Sequence, residues 1–144
     1  MACRLCEVHC LVAHSKSKKI IKAYKDEFPR ALPRVIVEHK GPISFALQCR
    51  HCEDAPCVKA CLTGAMSKGK DDETINHDQD KCVGCWMCVM VCPFGVIRRD
   101  VKEKKVATKC DMCKDEKMPV CVEKCPNEAL VLIDDNDAEN AKSR

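Results

Sequence analysis

Residues 82–93, CVGCWMCVMVCP, limit the folds open to this chain more than any other feature of its 144 residues. Cys82, Cys85, Cys88 and Cys92, followed by Pro93, have the spacing C-x2-C-x2-C-x3-C-P, which suits thiolate ligands to a [4Fe-4S] cluster. Three thiolates at this spacing let a short loop wrap three corners of one iron-sulfur cube. The fourth, a helical step further on, points to a different cube. One such run therefore implies at least two clusters.

The rest of the chain supplies partners. Cys49, Cys52, Cys57 and Cys61 read C-x2-C-x4-C-x3-C, and Cys110, Cys113, Cys121 and Cys125 read C-x2-C-x7-C-x3-C before Pro126. Cys3, Cys6 and Cys10 read C-x2-C-x3-C, the same run without its first Cys. All 15 cysteines fall into these four groups. The repeat extends beyond the thiols, since CLTGA at 61–65, CPFGV at 92–96 and CPNEA at 125–129 are variants of one turn. Internal duplication is the natural reading.

Two other uses of cysteine fit less well. A disulfide scaffold calls for an even count and a secretory context, but the count is odd and no apolar signal segment opens the sequence. Structural zinc takes thiolates as distant C-x2-C pairs. Here three ligands crowd onto one loop, which suits a cube better than a tetrahedral ion. Only three Phe, one Tyr and one Trp are present, so the hydrophobic core is thin. Clusters must fill the interior, and folding should depend on them.

The formal net charge is +3, with no basic stripe interleaved with aromatics, so a nucleic-acid partner has no support. Residues 16–40 are locally basic, which reads as a solvated face or as a docking surface for an acidic partner. No run approaches the ~18 apolar residues of a membrane span, and so many thiolates belong in a reducing cytoplasm. The glycines Gly64, Gly69, Gly84 and Gly95 are isolated, so neither flavin nor nicotinamide binding is supported. No catalytic triad or open metal site is legible either.

Short elements are expected between the cysteine groups. Strands are predicted at 34–39, 44–48, 74–77, 96–100, 105–108 and 130–133, with a hairpin across 101–104. Helical turns are predicted at 55–60, 88–91 and 120–124, and a surface turn at 69–73. Residues 11–33 give no clear period, because Ser15 to Ser17 break a helical face and Phe28-Pro29 and Leu32-Pro33 favour extended chain. Residues 134–144 read as a flexible, solvated tail. His51 and His9 stand beside cysteines; four thiolates leave His51 an outer role, while His9 lies near the incomplete group. Trp86 reads as a shield for its cluster, and Arg50 and Lys81 each read first as exposed surface residues, with favouring of the reduced state as the alternative.

Taken together, RLCEVHC (4–10), QCRHCEDAPCVKAC (48–61), DKCVGCWMC (80–88) and KCDMC (109–113) resemble the four-cluster polyferredoxin subunits of oxidoreductase complexes. These serve molybdenum and tungsten enzymes, formate dehydrogenases, hydrogenases and carbon monoxide dehydrogenase. The resemblance implies an α+β, duplicated bacterial ferredoxin-like fold over residues 1–144. One subdomain spans 43–100, with the second and third groups; the other combines 1–33 with 104–133. It also implies four [4Fe-4S] clusters with crosswise ligands. One cluster takes Cys49, Cys52, Cys57 and Cys92; its neighbour takes Cys82, Cys85, Cys88 and Cys61. A third takes Cys110, Cys113, Cys121 and Cys10. The fourth has Cys3, Cys6 and Cys125, and is incomplete or [3Fe-4S]. Leu62, where the family has Pro, should alter local packing only.

The function implied is a non-catalytic electron-transfer subunit. It would pass single electrons between a catalytic subunit and a second redox protein, such as a flavoprotein NAD(P) oxidoreductase, a hydrogenase or ferredoxin. RLCEVHC and QCRHCEDAPC lean toward carbon monoxide dehydrogenase as the catalytic partner. The alternatives are a cytoplasmic formate dehydrogenase, hydrogenase or aldehyde oxidoreductase, or a redox-sensing iron-sulfur protein. Aligning Cys3 with Cys85 puts Met1-Ala2 at the spacer positions. The expectation is therefore that the missing ligand immediately precedes Met1, with an apolar strand upstream to pair with 130–133.

Overall fold

The computed structural model describes residues 2–69, 74–100, 107–114 and 116–133. The expected 134–144 tail, residues 70–73 of the 69–73 turn, the 101–104 connection and the first two residues of the strand expected at 105–108 lie outside the described residues. Among the described residues, every strand belongs to a two-stranded antiparallel hairpin. Strand β1 (Ile36–Lys40) pairs with β2 (Ile43–Leu47), setting Val37 opposite Ala46 across the Gly41-Pro42 turn. Strand β3 (Met66–Lys68) pairs with β4 (Ile75–His77), and β5 (Arg98–Arg99) pairs with β6 (Ala107–Thr108).

Helix α1 (Leu5–Ala13) starts after Arg4, which has φ 58°, and α4 (Met87–Val91) starts after Trp86, which has φ 63°. Both residues follow a cysteine, Cys3 or Cys85, and both turn the chain from a cysteine loop into a helix through the left-handed region. Helix α3 (Pro56–Lys59) begins with Pro56 and α5 (Val120–Glu123) follows Pro119. Proline suits these places because a first-turn N–H has no intrahelical partner.

Helix α2 (Ile20–Lys25) and the last three residues of α1 fall within residues 11–33. The break between them is built by side chains. Ser15, 6% exposed, donates its hydroxyl to the Val12 carbonyl at 2.7 Å and accepts from Lys18 N at 3.1 Å. Glu27 accepts from Lys16 N at 3.1 Å and Ser17 N at 2.7 Å. These bonds satisfy backbone groups left over at a helix end, and Leu11, Val12 and Ala23 pack beneath them. The lysines of the basic stretch are exposed, whereas Arg34 is half-buried.

Two apolar clusters organise the rest. One joins Cys57, Cys88, Met66, Ile75, Ile97 and Ala107 where α3 meets α4. The other joins Cys6, Cys10, Cys121, Val35 and Val37 where α1 meets α5, with Ala46 and Leu130 against it. Residues 43–47, adjacent in sequence to the second cysteine group, thus pack with the first and fourth. The strand expected at 130–133 is not formed. Val131, Leu132 and Ile133 are 66%, 44% and 50% exposed, and among the described residues no strand pairs with them. β-Branched composition alone does not make a strand without a ladder partner. Strand β3 carries little sequence signal, because Met-Ser-Lys has low strand propensity and is held by its pairing with β4.

Candidate metal centre

The cysteine loops share one backbone. In the three complete C-x2-C loops the residue before the second Cys is left-handed: His51 at φ 47°, Gly84 at 69° and Met112 at 61°. Three residues after the last Cys, Gly64, Gly95 and Glu128 are also left-handed, at 66°, 61° and 49°. Each of these donates its N–H to the carbonyl of Cys61, Cys92 or Cys125 at 3.2 Å. A Cβ on Gly64 or Gly95 would meet nothing within 4 Å, so glycine serves the dihedral there and not close packing. Glu128 accepts the same strain without it.

All 15 thiols are free, and Cys3 and Cys85 alone among them are exposed. They gather across the cysteine groups. A cavity of about 320 Å³ has Cys3, Cys6 and Cys125 on its walls, with Val37, Phe45 and Leu130. A tighter one of about 20 Å³ is walled by Cys61, Cys82, Cys85, Cys88 and Trp86. Burial raises the Cys57 thiol, with Cys49 and Cys92 close enough to add to the rise. Burial pushes Cys110 up to about 11 and Cys121 up to about 12, with Cys10 next to both. Cys88 is likewise pushed up to about 11, with Cys82, Cys85 and Cys57 as its negative neighbours.

These donors fit iron-sulfur cubes. Thiols buried in mutual proximity carry charge readily only when bound to metal. Backbone N–H groups already point at sulfur: Arg34 N to Cys10 at 3.2 Å, Met66 N to Cys61 at 3.4 Å, Met112 N to Cys110 at 3.4 Å, and Ala129 N to Cys125 at 3.3 Å. Donors of this kind stabilise anionic sulfur and tune a cluster's potential.

Histidine is where sequence reasoning and structure part. His51 faces the hairpin: its Nδ1 accepts from Ile75 N at 2.9 Å, tying the Cys49-Cys52 loop to β4. His9 is half-buried on α1. The histidine set against a thiol is His14, unremarked in the sequence because it lies one turn past Cys10. Its Nδ1 is 3.8 Å from the Cys10 Sγ and 2.7 Å from the Cys10 carbonyl oxygen, and its Nε2 donates to Asp111 at 3.2 Å. Asp111 also binds the Arg34 guanidinium. Burial opposes charge on His14, but the bonds to Asp111 and Cys10 outweigh it and hold the imidazole up to about 9. Burial also works against the Asp111 carboxylate, yet His14 and Arg34 hold it well below the usual carboxylate range.

His14, Asp111 and Cys113 place their ligand atoms within 4.8 Å of one another. Asp111 is already engaged by Arg34 and His14, and Cys113 stands with the thiols, so the trio reads as the outer wall of that thiol group. Arg50 lies over the Phe94 ring at 5.9 Å, and Lys81 pairs with Asp78 at 3.1 Å. Trp86 is half-buried beside Cys85, with Arg99 at 6.0 Å over its ring. Leu62 is 85% exposed.

The family model described as a 4Fe-4S dicluster domain matches residues 42–135, which hold the second, third and fourth cysteine groups. The chain belongs to that 4Fe-4S family. It is similar to the electron transport protein HydN of Escherichia coli, at 36% identity over 154 residues, covering 96% of this chain and 85% of HydN. The putative electron transport protein YsaA of Escherichia coli is 39% identical over 136 residues, covering 93% of this chain and 83% of YsaA. The putative oxidoreductase AegA of Escherichia coli is 38% identical over 143 residues; the match takes in 94% of this chain but only 20% of AegA. The family is therefore one of iron-sulfur electron transfer. No helix among the described residues is long and apolar enough to cross a membrane.

Proposed function

We propose that the chain carries four [4Fe-4S]-type clusters in series and acts as the electron-transfer subunit of an oxidoreductase complex. The observation that carries this reading is the crosswise gathering of thiols. Cys57 has both Cys49 and Cys92 beside it, Cys121 has Cys10, Cys61 shares a wall with Cys82, Cys85 and Cys88, and Cys125 shares one with Cys3 and Cys6. Each set combines ligands from two repeats, as the reach of the fourth Cys requires. The recurring left-handed turns support a duplicated ferredoxin-like fold. When bound, each cluster takes up and releases one electron.

The order of the relay follows from contacts between sets. Cys6 and Cys10 share an apolar cluster, Lys109 has Cys110 and Cys57 as common neighbours, and Cys88 is a neighbour of Cys57. The series runs from the Cys3 set to the Cys10 set, then to the Cys57 set and the Cys88 set. The exposed thiols, Cys3 and Cys85, stand at its two ends, where electrons enter and leave. The three thiols of the Cys3 set suit a [3Fe-4S] cluster or a cube with one ligand from elsewhere.

A catalytic oxidoreductase subunit supplies electrons at one end, and a second redox protein such as a flavoprotein NAD(P) oxidoreductase, a hydrogenase or ferredoxin takes them at the other. The one-fifth share of AegA that this chain matches supports a relay that depends on a separate catalytic unit. The RLCEVHC and QCRHCEDAPC motifs favour carbon monoxide dehydrogenase as that unit. A gentle anaerobic pull-down tests this: carbon monoxide added to the isolated complex should bleach the clusters. Bleaching by formate or hydrogen and not by carbon monoxide would reassign the partner, and a complex whose clusters respond to no substrate would contradict the relay.

A further inference from the structure

We propose that Lys109 couples the two halves of the relay, its ammonium standing between the Cys49, Cys52, Cys57, Cys92 set and the Cys10, Cys110, Cys113, Cys121 set and favouring the reduced state of both. The inference rests on the ligand sets proposed above. Ala107, 1% exposed, packs in the apolar cluster of Cys57 and Cys88, whereas Cys110 belongs beside Cys10 and Cys121. The chain thus crosses from one half of the molecule to the other over residues 107–110. Lys109 sits at the crossing.

It is also buried, at 4% exposure, and among the described residues it is the one charged side chain so enclosed. Lysine is rarely buried without a counter-charge, because removing an ammonium from water is costly. Its Nζ donates to the Cys110 carbonyl at 2.6 Å, and among the described residues no carboxylate forms an ion pair with it. Asp111 is the nearest candidate, but it is held by Arg34 and His14. The remaining negative neighbours are thiols from both sets. Cys49 and Cys57 on one side and Cys110 on the other stand near enough to act on the Lys109 charge, ahead of Asp111. Arg34 and Lys114 line the same cavity as Lys109 and add no negative charge to it.

Each four-thiolate cube is anionic and gains one further negative charge on reduction. A cation enclosed between two such groups stabilises the reduced form of each, with little screening by solvent. No other described charge meets both sets in this way, so Lys109 acts as a positioning charge for the hop that joins the halves.

The test is an EPR-monitored redox titration of the cluster-loaded chain, comparing the unmodified protein with Lys109→Met and Lys109→Arg, with iron content measured in each. Lys109→Met should lower the midpoints of the two clusters that flank it by about tenfold in their reduction equilibrium, about 59 mV for a one-electron couple. The two terminal clusters should stay in place, and Lys109→Arg should restore the flanking pair. Full iron content with one midpoint moved, none moved or all four moved equally would overturn the proposal. Should Lys109→Met not hold its clusters, the unmodified protein still decides: the flanking pair, assigned through Cys57→Ser and Cys121→Ser, should be reduced before the terminal pair. The reverse order would overturn it. Fewer than four clusters in the unmodified protein would instead indict the ligand sets.

Discussion

Replacing His51 by Ala should loosen one cluster and leave the others in place. The His51 imidazole accepts the Ile75 N–H at 2.9 Å, and Ile75 is 1% exposed in the centre of the cluster that includes Cys57 and Cys88. Without the acceptor a buried N–H loses its partner, which costs about 1–3 kcal/mol. A middle value of about 2 kcal/mol corresponds to about thirtyfold in the frequency of local opening between the Cys49-Cys52 loop and β4. His51 sits at φ 47°, so His51→Gly loses the same bond but recovers up to about 1 kcal/mol of left-handed strain. Anaerobic iron release to a chelator reads the effect. The four irons on Cys49, Cys52, Cys57 and Cys92 should leave about thirtyfold faster from His51→Ala, and more slowly from His51→Gly than from His51→Ala, with the iron of the other sites released at the unmodified rate. Unchanged release, or equal acceleration from every cluster, would refute the coupling between loop and hairpin.

Three further outcomes follow from named contacts. Cys92→Ala should strip the cluster on Cys49, Cys52 and Cys57 and spare that on Cys82, Cys85 and Cys88, as read by cluster-specific EPR signals; the opposite pattern would mean that each run closes on itself. Ser15→Ala removes both a donor to the Val12 carbonyl and an acceptor for Lys18 N, and should cost about 1–3 kcal/mol in urea unfolding of the loaded protein. Glu7 accepts Val37 N at 2.7 Å and fixes α1 to β1, so Glu7→Ala should speed hydrogen exchange at Val37 while leaving β3 and β4 protected.

The grouping of the thiols was legible because cysteine loops are written in short spacings. Cys82, Cys85 and Cys88 must share a loop whatever surrounds them, and the proline at position 56 marks a helix start wherever it packs. What stayed hidden depends on tertiary approach. His14 is unremarkable in sequence until the fold brings Asp111 and Arg34 to it, and Lys109 reads as one lysine among many until its burial is seen. Residues 130–133 show the opposite failure, for their apolar β-branched composition suggests a strand and no partner strand meets them. The break at Ser15 to Ser17 was visible as a loss of helical period, but its cause, the Ser15 and Glu27 bonds to backbone, required the structure.

The central claim is that one short chain holds four clusters in series, and anaerobic native mass spectrometry of the intact protein tests it most directly. The account predicts a mass above that of the apoprotein equal to four [4Fe-4S] clusters, or to three and one [3Fe-4S], with the Cys3, Cys6, Cys125 site the first to lose iron. A fully loaded species with only two clusters would contradict it.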